Sequence, residues 1–77
     1  MSSYISGNGV YHNGRYVGYV SDGTLYSTRN GYRGYYTDDS GAIYGPHGYT
    51  GVYIDWSGTE GWFYGNNIDF VLGAIFG

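Results

Sequence analysis

Apolar positions return along this chain in short bursts, each punctuated by glycine. An apolar–tyrosine pair occurs at Val10–Tyr11, Leu25–Tyr26 and Ile43–Tyr44. A second burst opens on glycine: GYV from Gly18, GYY from Gly34 and GVY from Gly51, spaced 16 and 17 residues apart. Gly14, Gly31 and Gly48 lie between pair and triplet. A fixed period of this kind is the signature of a repeated supersecondary unit. Two short β runs joined by a few residues containing glycine read as a hairpin. The chain therefore divides into hairpin units at 9–22, 23–40, 41–57 and 58–77. Strand alternation puts Tyr16, Gly18 and Val20 on one face, and likewise Tyr32, Gly34, Tyr36 and Tyr49, Gly51, Tyr53. A ring laid over each bare anchor glycine offsets the weakness of glycine within a strand. This periodicity is first of all a packing signal.

The two ends of the pattern are complementary. Tyr4-Ile5-Ser6 repeats, 15 residues earlier, the string Tyr19-Val20-Ser21. The chain thus starts with the tail half of a unit and ends with the head half of another. Pairing of residues 4–6 with 61–64 closes a ring; pairing of 61–64 with 68–72 is the other arrangement open to it. Closure removes the unpaired edges that invite aggregation. The expected fold is all-β, with internally repeated β-hairpins arranged in a closed ring of four petals: 10–20, 24–36, 42–54 and a composite fourth. The string GYVSDGTLY, residues 18–26, and its weaker echoes resemble the small bacterial β-flower proteins. The resemblance spans about residues 4–64 and implies a flower-like or small-propeller-like ring. It carries no biochemical role with it. It stops after Trp62–Phe63, where IDFVLGAIFG stands in place of another glycine triplet.

Composition adds a constraint on assembly. A chain of 77 residues forms one small domain, and a domain of this size buries only about 60% of its unfolded surface. With no cysteine there is neither a disulfide nor a thiolate zinc site to support it. Tight packing or a homo-oligomer is the expected compensation. Three arginines, no lysine and a net charge of −3 argue against nucleic-acid binding. The eight-residue apolar run from Phe70 to Gly77 falls short of the roughly 20 residues a membrane-spanning helix needs. MSSYISGNG has no cationic or apolar leader character. Cytoplasm is the default location, although a mature secreted form would read the same.

Candidate chemistry is sparse. Asp22, Asp38, Asp39 and Asp55 each precede a glycine by one to three residues, in stretches where aspartate forms turns. A carboxylate rim for Ca²⁺ would need six to eight converging oxygens, which this spacing does not suggest. His12 and His47 fall in hairpin loops on opposite petals, without a serine or cysteine next to them in sequence. No catalytic residue, metal or cofactor is expected, and an enzyme is disfavoured. Arg33 is expected to stack on an aromatic ring or pair with an aspartate. Twelve tyrosines exceed what so small a core can enclose, so some face a partner, a ligand or water. The apolar tail residues Phe70, Val71, Leu72, Ile75 and Phe76 form the candidate interface, whether as a last strand, a plug or a docking segment. Trp56 and Trp62 form a candidate rim for carbohydrate. The first expectation is a non-enzymatic structural or interaction module that self-associates through aromatic strands and the tail. The alternative is a glycan-binding module.

Overall fold

The computed structural model describes residues 3–77. Eight strands follow in order: β1 (Ser3–Ser6), β2 (Gly9–His12), β3 (Arg15–Ser21), β4 (Thr24–Ser27), β5 (Gly31–Thr37), β6 (Ala42–Gly45), β7 (Gly48–Ser57) and β8 (Glu60–Gly65). One helix, α1 (Ile68–Phe76), ends the chain. Each strand pairs antiparallel with the next, and β1 pairs with β8, so the sheet is a closed barrel. The fold is all-β with a closed ring of hairpin strands. The seam sets Tyr4 opposite Trp62 and Ile5 opposite Gly61. No helix lies between Val10 and Ile54.

Turn chemistry explains the tightness of the hairpins. Asn13–Gly14 and Asp22–Gly23 hold positive φ at both central residues, the geometry that two-residue hairpin turns require. The longer strands depart from simple alternation. Val10 faces Gly18 while Tyr11 faces Tyr16, so Val17 is an extra residue in β3. The register also shifts between β4 and β5 and between β6 and β7. Gly34 and Gly51 sit at these irregularities with φ of 94° and 90°. Such bulges bend a strand and tighten its twist, which a small barrel needs. They also overturn the expected single face in β3: Tyr16 is exposed, Gly18 is buried, and Val20 packs against the core.

Rings do lie against bare glycine, with different partners from those expected. Phe76 covers Gly18, where an added Cβ would also collide with the Tyr26 carbonyl. Tyr35 covers Gly45, and Trp56 lies against Gly61. Gly34 meets Pro46, and Gly51 has open space beside it.

The interior is filled from two sources. The wall contributes Ile5, Val10, Leu25, Ile43, Val52, Ile54 and Phe63. The helix contributes Val71, Leu72, Ile75 and Phe76. Residues 68–72 therefore form no strand. Ile68, Val71, Leu72, Ile75 and Phe76 follow the i, i+3, i+4, i+7, i+8 spacing of a helix with one apolar stripe. In a closed ring the edges are already paired, so backbone hydrogen bonds within a helix are the remaining way to bury this tail.

An antiparallel meander has two ends. The turns at 13–14, 28–30 and 46–47 and the link at 66–67 gather at one mouth, which α1 covers. The turns at 7–8, 22–23, 38–41 and 58–59 gather at the other.

Candidate functional site

Tyrosines alternate with core residues along the wall, so they stand outside it: Tyr11 after Val10, Tyr26 after Leu25, Tyr44 after Ile43 and Tyr64 after Phe63. Cross-strand pairing then brings them together. Tyr4, Tyr11 and Tyr16 form one ladder, with ring centroids 5.2 and 5.5 Å apart. Tyr19, Tyr26 and Tyr32 form a second, at 4.9 and 6.0 Å. Tyr36, Tyr44 and Tyr49 form a third, at 5.7 and 5.6 Å. The fourth pairs Tyr53 with Tyr64, 5.8 Å apart, across β7 and β8. Every tyrosine except Tyr35 belongs to a ladder. The central rings are half-buried by their neighbours, whereas Tyr16, Tyr32 and Tyr49 are 52%, 56% and 53% exposed. Such rings offer rigid, amphipathic contact area at low entropic cost.

The capped mouth carries a polar cluster that the linear sequence conceals. Ser3 and His12 are directly opposite each other in the β1–β2 register. They share the inward phase of Ile5 and Val10. The Ser3 hydroxyl lies 2.6 Å from His12 Nδ1. The first turn of α1 brings Asp69 Oδ1 to 3.7 Å from His12 Nε2. Ser3 and Asp69 also line a cavity of about 520 Å³ whose apolar surface comes from Phe63, Ile68 and Phe70. His12 is thus the last residue of β2 rather than part of a loop, and the fold supplies its serine partner. At the far end of α1, buried Ser27 donates a hydrogen bond to the Phe76 carbonyl. The Ser27 hydroxyl oxygen in turn accepts from the backbone N–H groups of Arg29 and Asn30.

The candidate interface separates into two parts. Val71, Leu72, Ile75 and Phe76 are buried in the chain's own core, while Phe70 is 78% exposed. Trp56 and Trp62 do not share a face. They occupy neighbouring register positions, Trp56 opposite Gly61 and Trp62 opposite Asp55, so the pleat points them to opposite sides.

The acidic positions behave as turn formers, with one exception. Asp55 lies within β7. Asp38 accepts hydrogen bonds from the Ser40 hydroxyl and from the backbone N–H groups of Ser40 and Ala42. The Ser40 hydroxyl and these backbone donors hold the Asp38 carboxyl below its ordinary range. No group of three His, Asp or Glu side chains able to hold a metal occurs among the described residues. Arg33 is exposed and joins no ion pair among them. No helix is long and apolar enough to cross a membrane among those residues. Comparison with known protein families, curated proteins and solved structures yields no match for this chain.

Proposed function

We propose that this chain is a structural or interaction module that associates with copies of itself through the tyrosine ladders of its outer wall. The observation that carries the reading is the exposed outer row Tyr16, Tyr32 and Tyr49, held in place by stacked neighbours. A monomer seldom leaves so many large rings exposed without a contact to make. A closed ring has no free edge strand to offer, so association works through side-chain faces. Of the tail, Phe70 is the side chain presented to a partner.

Charge placement supports an antiparallel dimer. Arg15, Arg29 and Arg33, with His12 and His47, lie toward the capped mouth. Five of the six acidic residues, Asp22, Asp38, Asp39, Asp55 and Glu60, lie toward the other, and Asp69 lies beside His12 at the capped one. A two-fold axis perpendicular to the barrel sets each basic end beside the partner's acidic end. We also propose kinship with the small β-flower proteins, which the closed ring of hairpin strands supports.

Light scattering tests it. The wild type is expected to dimerise as concentration rises toward millimolar, more weakly at high salt, and Y16S/Y32S/Y49S to remain monomeric. A wild type that stays monomeric at millimolar concentration and low salt defeats the proposal. Carbohydrate binding is the second reading. It is favoured by Trp62, 42% exposed on the outer wall beside Tyr4. A glycan array with wild type and Trp62→Ala decides it: hits lost on substitution support it, and an empty array rejects it.

A further inference from the structure

We propose that Ser3, His12 and Asp69 form an acyl-transfer site that cleaves esters of small apolar acids. This goes beyond the interaction reading and does not depend on it. Roles in such sites follow from geometry, whatever the order along the chain. Ser3 Oγ and Asp69 Oδ1 address opposite nitrogens of one imidazole, at 2.6 and 3.7 Å. A carboxylate facing Nε2 favours the tautomer with its proton there. Nδ1 then presents its lone pair to the Ser3 hydroxyl, the relation a general base needs to its nucleophile.

The cavity supplies the rest. Its volume of about 520 Å³ lies within the range of small-molecule sites. Phe63, Ile68 and Phe70 give it apolar walls for an acyl chain. Asn67 makes no side-chain cap, and the first hydrogen bond of α1 runs from the Val71 N–H to the Asn67 carbonyl. The N–H groups of Ile68, Asp69 and Phe70 therefore lack intrahelical acceptors. These three residues line the same cavity and offer donors for a developing oxyanion.

The chemistry balances as follows. Ser3 Oγ bonds to the ester carbonyl carbon while its proton passes to His12 Nδ1. The bond from carbon to the leaving oxygen breaks, and the alcohol departs with that proton. Water then attacks acyl-Ser3, giving one proton to Nδ1 and its oxygen to the carbonyl. Ser3 leaves and recovers the proton. The net change is ester plus water to acid plus alcohol. Ser3 and His12 are the catalytic residues, and Asp69 is a positioning residue.

The test uses the full chain. A fluorophosphonate probe should add one adduct, mapped to Ser3 by peptide mass spectrometry and absent from Ser3→Ala. The His12→Gln variant should label roughly a hundredfold more slowly, the lower end of general-base contributions. With p-nitrophenyl butyrate, Asp69→Asn should lower kcat with KM unchanged, and Asp69→Glu should restore part of it. If His12→Gln does not fold, Ser3→Ala with an unchanged melting temperature still decides the question. Folded wild type that takes no adduct under conditions that saturate a serine esterase overturns the proposal. So does an adduct that survives Ser3→Ala.

Discussion

The two mouths of this barrel are built from the same repeat and end differently. At one, an apolar helix lies over the interior and is fixed by a few specific contacts: Phe76 on Gly18, Ser27 on the Phe76 carbonyl, and Asp69 near His12. At the other, short turns close the wall, and Asp38 organises its own loop. The capped mouth is held together by burial over long sequence separations. The uncapped mouth is held by hydrogen bonds within the Asp38 loop and from each turn to the neighbouring hairpin, as from the Thr37 N–H to the Gly23 carbonyl and the Ile54 N–H to the Gly41 carbonyl. Substitutions at the first should therefore be felt by the whole molecule, and those at the second mainly by their own turn and the hairpin beside it.

Four substitutions break or sharpen this contrast. Leu72→Ala empties one of the fully buried positions of the helix and should cost about 2–5 kcal/mol, read as a lowered melting temperature and denaturation midpoint. Gly18→Ala inserts a methyl group between the Phe76 ring and the Tyr26 carbonyl. It should cost about 1–3 kcal/mol, with the near-ultraviolet aromatic signal altered. Ser27→Ala deletes three hydrogen bonds of one buried oxygen and should cost about 1–2 kcal/mol, with faster amide exchange confined to α1 and residues 28–30. Asp38→Asn should have the smallest effect and the opposite character. The folded carboxyl titrates below its ordinary range, so its contribution is full above the unfolded value near ~4 and is lost as pH falls through the folded value. The variant should show a weaker acid dependence of melting temperature than wild type. If it unfolds as readily as Leu72→Ala, the contrast between the mouths is wrong.

Much of the wall could be read from the chain. Val10–Tyr11, Leu25–Tyr26 and Ile43–Tyr44 repeat because each strand must turn one residue inward and the next outward. The half-units at each end allow two partners for 61–64, and the structure takes the one that closes the ring, residues 4–6 on 60–62. The bulges were hidden, since an added residue such as Val17 leaves no mark on a period of two. The tail's role as a plug is one of the three its apolar run allows, and the helix itself is written in the 68, 71, 72, 75, 76 spacing, a pattern weakened by the low helix propensity of Gly73. The Ser3–His12–Asp69 cluster had no signal in the sequence. Nine residues separate the first pair and 57 the second. Only ring closure and the landing of the helix on that mouth bring them together.

The join between β1 and β8 also dictates when folding can finish. Each internal hairpin has its partners within a few residues and is ready to form as soon as it is synthesised. The first strand must wait for the last, and the plug follows later still. Until residues 60–65 arrive, the nascent molecule is an open ribbon with two bare margins and an unfilled centre, and during that interval it is most exposed to mispairing with its siblings.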